Sequence, residues 1–473
     1  MNDACALPSK EKMTLRTRII LFLSLMIPFA FAFLYVLMTA TELIISDDAF
    51  LVKGGFIEKY LSGTLAFGDL WQPLNYGRML GYNLMQLANV KWFSMNSKIL
   101  VLLAPFCMLA SALLIYREYR KSLAPALSPD FIAATFFIIT FIIFNVTQWE
   151  GLIVGSDMAF QPAMPFFIAS FLSLELFIVK GGRKYLSAAL VVPVLAMLVF
   201  NGRLNLVFIP ASGLILLSYA AIHRGNLNGN FLIRSLMMGL FLVLLLYVYL
   251  SGIQFDEFSP AGAAVRIFAK PWDAAQFILA ALGSSIVGID VFSFCSYISF
   301  DEIVALGMIL VMLYALALVL FFTSKMYEKT CLPAFLIVQT FLFLGIMMIG
   351  RFEFGKDYGM TSRYTCVSLY GLAGMVWIFA FILSGPKKIN VFLRGTIFAG
   401  VMIIIAGLIM TSVFEWNLQP RRKAYLDQLT GIALRVDTAS PEDLSRISDL
   451  PDRVRDSLLI LREHRLNVYR NRP

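Results

Sequence analysis

Charged residues and histidines are scarce in this sequence, and its cysteines are not spaced in pairs. Only 15% of its 473 residues are charged, against roughly a quarter in a soluble domain. With only two histidines, His223 and His464, the composition argues against catalysis by histidine. The five cysteines form no C-x-x-C pair and show no metal-ligand spacing, so neither a disulfide framework nor a zinc site is indicated.

Long hydrophobic runs take the place of charge. Hydrophobic residues make up 59% of the chain, and the mean hydropathy is +0.78. Most runs are roughly the 20 residues that a helix needs to cross a bilayer. They predict an all-α polytopic membrane protein with about eleven transmembrane helices, in a range of about 10 to 12. The predicted helices are at residues 19–38, 99–116, 131–146, 165–179, 185–200, 204–222, 235–250, 303–322, 332–349, 366–383 and 392–413.

Basic residues predict how these helices are oriented. Lys10, Lys12, Arg16 and Arg18 stand directly before the first run, so the positive-inside rule places residues 1–18 in the cytoplasm. The net charge of +9 does not indicate nucleic acid binding, because most basic residues lie in short loops between apolar runs.

Three segments outside the helices are distinctive. The predicted transmembrane domain, 19–413, carries two large outer loops, at 41–98 and 251–301. Within the second, the apolar stretch 274–287 is interrupted by Gly283-Ser284-Ser285, so we expect an interfacial or re-entrant helix; a spanning helix there would invert everything after it. Residues 414–473 predict a small helical appendage on the outer side, with a helix start at Ser440-Pro441.

Adjacent carboxylates at Asp47 and Asp48 are the strongest chemical signal in the chain. They follow the first run by about eight residues and open the longest polar stretch of the first half. Two ionised carboxylates this close repel each other, so they need a cation, a basic side chain or a proton nearby. At a membrane surface such a carboxylate can act as a general base on a hydroxyl, or hold a divalent metal.

Basic and acidic residues accompany this pair on the predicted outer side. Guanidinium groups clamp phosphate with paired hydrogen bonds, so the arginines suggest a lipid phosphate near the acids. The short loop at 148–161 has no lysine or arginine but holds Glu150 and Asp157. The outer basic residues are Arg78, Arg203, Arg266, Lys270, Arg351, Lys356 and Arg363.

These features resemble the GT-C superfamily of membrane glycosyltransferases. The resemblance consists of Asp47-Asp48 opening a long first outer loop, about eleven spans, an outer C-terminal segment, and the pattern Gly350-Arg351 and Ser362-Arg363-Tyr364 before a late span. Within the superfamily, the arrangement is similar to the bacterial Gtr-type enzymes that decorate O-antigen. It covers most of residues 15–415, but its motifs are short.

The resemblance implies an activity and roles for these residues. A polyprenyl-phosphate-linked sugar would be transferred to a hydroxyl of an envelope glycan, such as O-antigen, on the periplasmic face of the bacterial inner membrane. Asp47 or Asp48 would be the catalytic acid of the first loop, with both left open. Partners would be the lipid-linked donor, the glycan acceptor, membrane lipid, and a separate donor synthase and flippase. No cofactor is certain, and a divalent metal is left open. Arg78, Arg351 and Arg363 would bind the lipid phosphate, and Glu150 and Asp157 would lie near the acceptor.

Other function classes are compatible with parts of the sequence. A carrier or flippase for a lipid-linked or anionic solute would place ionisable residues within the membrane and show repeated halves. The apolar runs are almost free of charge, with Glu175 the main exception, and no repeat is visible. An O-antigen polymerase or ligase would use outer arginines without needing Asp47-Asp48. A purely structural subunit would leave the acid pair without a role.

Overall fold

A computed structural model describes residues 13–72, 78–124, 126–199, 202–222, 229–251, 260–295, 297–385 and 390–470 of the chain. These residues form helices joined by turns and include no β-strand, which confirms the all-α polytopic class. Most of the predicted cytoplasmic tail, residues 1–12, lies outside the described part.

The first nine α-helices contain three long apolar helices and the short helices of the segments after α1 and after α8. The first begins after Thr14, whose hydroxyl accepts a hydrogen bond from the Thr17 backbone N–H. The nine are α1 (Leu15–Thr39), α2 (Ala49–Val52), α3 (Phe56–Leu61), α4 (Phe67–Trp71), α5 (Leu80–Phe93), α6 (Ser97–Val101), α7 (Ala104–Leu123), α8 (Pro129–Ile143) and α9 (Trp149–Ile153).

The next eight helices form the middle of the bundle and the segment between α13 and α17. They are α10 (Phe160–Lys180), α11 (Arg183–Val199), α12 (Gly202–Ile222), α13 (Gly229–Leu250), α14 (Pro260–Ala269), α15 (Pro271–Ser284), α16 (Ile289–Phe294) and α17 (Phe300–Thr323). With 14 residues, α15 is too short to cross a bilayer, as expected for the 274–287 stretch.

Five helices complete the chain: α18 (Leu332–Arg351), α19 (Thr365–Ser384), α20 (Val391–Leu434), α21 (Pro441–Ser445) and α22 (Pro451–Glu463). At 44 residues, α20 is roughly 66 Å long, about twice the hydrocarbon thickness of a membrane. It therefore continues beyond the bundle into the C-terminal segment. Ser440 caps α21 by accepting a hydrogen bond from the Asp443 backbone N–H at 3.1 Å, as its sequence predicts.

Nine helical segments of the described part are long and apolar enough to span a membrane, rather than about eleven. The runs at 185–200 and 204–222 correspond to α11, which has only 17 residues, and to α12, several of whose side chains lie outside the described part. Because α11 and α12 are consecutive, counting both or neither leaves every later segment on the same side. The nine are Leu15–Thr39, Ser97–Leu123, Pro129–Ile153, Asp157–Lys180, Asn230–Leu250, Phe300–Thr323, Leu332–Phe354, Ser362–Ser384 and Val391–Leu434.

Two glycines allow α15 and α17 to pack with their backbones almost in contact. A Cβ atom at Gly307 would overlap the carbonyl oxygen of Leu279, and one at Gly283 would overlap that of Ile303. Neither obstacle is a flexible side chain that can move aside. Close packing of this kind is how small residues hold membrane helices together.

Gly307→Val is therefore expected to lower stability by about 1 to 3 kcal/mol, because α15 and α17 must separate to accommodate the side chain. The measurement is the thermal unfolding midpoint of the purified protein in detergent. Gly345→Ala in α18 is the control, since no heavy atom lies within 4 Å of its added Cβ. Equal unfolding midpoints for the two variants would contradict close α15–α17 packing.

The C-terminal segment packs on the loop after α1. The Ser46 backbone N–H donates to the Ile447 carbonyl at 2.8 Å. Ser457 Oγ donates to the Ala49 carbonyl at 2.9 Å and accepts from the Lys53 backbone N–H at 3.2 Å. The chain after α20 and the loop after α1 are thus at the same end of the bundle, and residues 46–53 are held from the C-terminal side.

Candidate functional site

Asp48 is a fully buried carboxylate at this end of the bundle. It ends a short 3-10 helix, Ser46–Asp48, and its side chain has no solvent exposure. Its Oδ1 accepts hydrogen bonds from Tyr82 Oη at 2.5 Å and from Gln86 Nε2 at 3.3 Å. Tyr82 and Gln86 lie one turn apart on α5, and Gln86 Nε2 also donates to Tyr82 Oη at 2.7 Å. One face of α5 thus holds the carboxylate.

The opposite side of the Asp48 carboxylate packs on Gly155, where a Cβ atom would overlap Oδ2. Burial raises the pKa of Asp48 to about 7; the hydrogen bond from Tyr82 opposes the rise, and the charges of Asp47 and Asp157 add to it. Asp48 is therefore close to half-ionised at neutral pH.

Asp47 has a different environment from its neighbour. It is partly exposed, whereas Asp48 is enclosed by α5 and the loop at 155–157. The sequence left the two acids equivalent. The two side chains differ in exposure because adjacent residues in a tight helix point in different directions.

A second pair of acids is bound to one arginine beside Asp48. Glu150 Oε2 accepts hydrogen bonds from Ser362 Oγ and from the Arg363 backbone N–H, each at 3.0 Å. Arg363 Nη1 lies 3.5 Å from Asp157 Oδ1, and its Nε lies 3.9 Å from Glu150 Oε2. All three charged side chains are mostly buried. Arg363 therefore balances the two acids of the loop at 148–161.

Five of the predicted site residues are thus brought together: Asp47, Asp48, Glu150, Asp157 and Arg363. The charge of Asp157 acts on Asp48, while its carboxylate contacts Arg363. We call these five residues the carboxylate cluster. They come from three separate loops, and the spacing of those loops in the chain gives no sign that they meet.

Arg78 is not part of the carboxylate cluster, and backbone carbonyl oxygens accept the hydrogen bonds of its guanidinium. Its guanidinium donates to the carbonyl oxygens of Tyr249 at 3.2 Å, Trp71 at 2.8 Å and Ser251 at 2.5 Å, and it stacks on the Trp71 ring at 4.9 Å. It ties the segment between α4 and α5 to the end of α13. Its donors to these carbonyls are not available to phosphate in this arrangement.

Arg351, the third predicted phosphate ligand, is partly exposed at the end of α18. Its guanidinium lies 5.6 Å from the centre of the Phe354 ring. It makes no contact with the carboxylate cluster in the hydrogen bonds and ion pairs of the described residues. The side chain of Arg203 lies outside the described part of the chain.

A buried ion network that the sequence analysis missed lies beside the carboxylate cluster. Arg422 is paired with Glu415 and with Asp290, and it also donates to Tyr35 Oη. Glu415 is fully buried. The Arg422 guanidinium stacks on the ring of Trp149 at 3.9 Å, directly before Glu150 in the chain. A signal was present, because positions 415 and 422 are two turns apart on one face of a helix.

No group of three histidine, cysteine, aspartate or glutamate side chains is placed to hold a metal ion within the part of the chain that the structure describes. The acids of the carboxylate cluster are instead balanced by an arginine and by hydroxyl and amide donors.

No protein-family model matches this chain, and no curated protein matches it either.

Proposed function

We propose that this multi-pass membrane protein is a glycosyltransferase. It would transfer a sugar from a polyprenyl-phosphate-linked donor to a hydroxyl of an envelope glycan, such as O-antigen, on the periplasmic face of a bacterial inner membrane. The N-terminus would then be cytoplasmic and the C-terminus periplasmic. The observation that carries the proposal is a buried Asp48 carboxylate, with a pKa of about 7, next to the Glu150–Arg363–Asp157 group.

A carboxylate with this pKa suits general base catalysis. The best general base has a pKa near the working pH, because it is then both substantially ionised and able to hold a proton. An ordinary aspartate, with a pKa near 4, would be ionised but a weaker base. Tyr82 and Gln86 fix the orientation of Asp48 through its Oδ1.

In the proposed reaction, the acceptor hydroxyl oxygen attacks the anomeric carbon of the donor sugar. A bond forms between that oxygen and that carbon, and the bond from the carbon to the phosphate oxygen breaks. The hydroxyl proton passes to an oxygen of Asp48, which requires the segment at 155–157 that encloses this carboxylate to move aside when the acceptor binds. The bonding electrons leave with the lipid phosphate. The leaving phosphate would be stabilised by cationic side chains other than Arg78 and Arg363, because backbone carbonyls and carboxylates engage those two.

The charge balance around Glu150 and Asp157 supports a polar acceptor rather than a phosphate at that point. Arg363 already carries two carboxylate contacts, so the group has a net negative charge when both acids are ionised. Carboxylate oxygens accept hydrogen bonds from sugar hydroxyls, and they repel phosphate.

Transport is less well supported by the same contacts. Glu175, the main acid within the apolar runs, accepts a hydrogen bond from the Cys331 backbone N–H at 2.6 Å, so it joins α10 to the start of α18. The acids of the carboxylate cluster come from outer segments and the ends of helices, whereas carriers place ionisable groups near the middle of the membrane.

The test of the proposal is the mass of envelope glycans from cells with the intact gene, a deletion, and Asp48→Asn at equal membrane abundance. We expect one discrete sugar increment to disappear in the deletion and in Asp48→Asn. Asp456→Asn, at an exposed position of α22, is the control and should keep the increment. An unchanged profile in the deletion would refute transfer to envelope glycans, and loss in the deletion alone would favour a polymerase or ligase.

The pH dependence of transfer should shift in opposite directions in two variants. The rate should rise with pH up to about 7 and then level off, because the basic form of Asp48 is needed. Tyr82→Phe removes a hydrogen bond that lowers this pKa, so the rise should move to higher pH. Asp47→Asn removes a charge that raises it, so the rise should move to lower pH. The measurement is kcat/KM against pH; shifts in one common direction would contradict Asp48 as the base.

A further inference from the structure

A second charged feature of the same end lies outside the carboxylate cluster. It is a cavity of about 320 Å³ between α14, the start of α15 and the segment after α18. Its volume is at the lower end of the range of small-molecule sites. Three cationic side chains, Arg266, Lys270 and Lys356, line it together with Glu353 and Asp273.

The cations of this cavity differ in how they are engaged. Arg266 Nη2 lies 3.4 Å from Glu353 Oε2, and both side chains are more than two-fifths exposed. Lys356 Nζ donates to Gln276 Oε1 at 2.7 Å and lies 4.8 Å from the centre of the Phe300 ring. Lys270 is exposed and forms no ion pair with the side chains that the structure describes. Donors therefore remain for an anionic ligand.

Exposed apolar side chains surround the cavity and indicate its level relative to the membrane. Val265 and Phe268 on α14 are 68% and 82% exposed, and Trp272 at the start of α15 is 60% exposed. Large apolar and aromatic side chains that flank basic residues are typical of helices lying in the membrane interface. At that depth the basic side chains are level with lipid phosphates.

We propose that this cavity binds the phosphate group of a membrane lipid through Arg266, Lys270 and Lys356. The proposal does not depend on glycosyl transfer. Its phosphate could be carried by an isoprenoid, as in the proposed donor, or by a phospholipid headgroup, and both present the same anionic oxygens to the cations. Lysine and arginine side chains commonly bind phosphate in proteins through charge-assisted hydrogen bonds.

Glu353 gives the proposal a test that damage to the fold cannot imitate. Its carboxylate holds Arg266 and would repel a phosphate in the cavity. Glu353→Gln should therefore bind lipid phosphate more tightly, by about two- to fivefold, since an exposed charge pair contributes less than about 1 kcal/mol. Lys270→Gln should bind about tenfold more weakly, since a hydrogen bond to a charged group contributes about 1.5 kcal/mol or more.

The experiment is native mass spectrometry of the full-length protein in detergent, titrated separately with farnesyl phosphate, phosphatidylglycerol and uncharged farnesol. Lys91→Gln, at an exposed lysine of α5 outside the cavity, is the control and should bind as the unmodified protein does. Preference for farnesyl phosphate would identify an isoprenoid phosphate, and preference for phosphatidylglycerol a phospholipid headgroup. Both support the site.

Two results would overturn it. Farnesol that binds as tightly as farnesyl phosphate would show that the phosphate is not recognised. Affinities that stay within twofold in both Lys270→Gln and Glu353→Gln would show that any phosphate binds elsewhere. Because binding is measured directly, neither result depends on whether the protein transfers a sugar.

Discussion

Asp48→Asn is expected to slow sugar transfer by about 10² to 10⁴-fold, the usual contribution of a general base. Asparagine has the size of aspartate and can still accept the Tyr82 hydrogen bond through its amide oxygen, but it cannot take up the acceptor's proton. The measurement is the initial rate of transfer by purified protein with a lipid-linked donor. A rate within threefold of the unmodified protein would rule out Asp48 as the base.

Stability separates this chemical effect from misfolding. Because the pKa of Asp48 is raised to about 7 from an ordinary value near 4, its unfolded state loses the proton first as pH rises. The free energy of unfolding should therefore fall between about pH 4 and pH 7 and change no further from this group above pH 7. Asp48→Asn lacks this cost, so its unfolding midpoint at pH 8 should equal or exceed that of the unmodified protein. Loss of activity together with a lower midpoint would instead indicate a damaged fold.

Arg422→Met is expected to have the largest effect on stability, about 3 to 5 kcal/mol. It leaves Glu415, which is fully buried, and the mostly buried Asp290 without their cation. An uncompensated buried charge is costly because it has given up water and gained no partner. The measurements are membrane abundance and the thermal unfolding midpoint in detergent.

Neighbouring substitutions distinguish loss of the ion network from loss of a long side chain. Arg421→Met removes an exposed arginine one position earlier and should change stability by less than about 0.5 kcal/mol. Combining Arg422→Met with Glu415→Gln and Asp290→Asn removes the unpaired charges, so it should recover much of the loss. Arg422→Met and Arg421→Met with equal midpoints would mean that the network contributes little.

Trp149 and Glu150 connect the ion network of Arg422, which affects stability, to the carboxylate cluster, which is proposed to affect activity. Arg422 stacks on Trp149, and Glu150 receives its hydrogen bonds from Ser362 and Arg363. The network of α20 therefore supports the backbone that carries Glu150, and the C-terminal segment supports residues 46–53, which carry Asp47 and Asp48. These three acids of the carboxylate cluster depend on the chain beyond residue 414.

The helical class of the protein was predictable because its causes are local. An apolar run of about 20 residues has no stable alternative to a helix in hydrocarbon, where each backbone polar group needs a partner within the segment. The start of α21 at Ser440 was predictable for a similar reason, since a cap involves residues three apart. The number of spans was predicted less closely: nine segments of the described residues are long and apolar enough to cross a membrane, α11 has only 17 residues, and the side chains of several α12 residues lie outside the described part.

The composition of the site depended on contacts between distant parts of the chain. Asp48 and Asp47 have the same local sequence, and only packing against Tyr82 and Gly155 makes one buried and the other partly exposed. Arg363 and Arg78 both stood out as phosphate ligands, yet one pairs with acids some 200 residues away and the other with backbone carbonyls. A charged side chain takes the partner that is nearest in space, and sequence distance does not encode that partner.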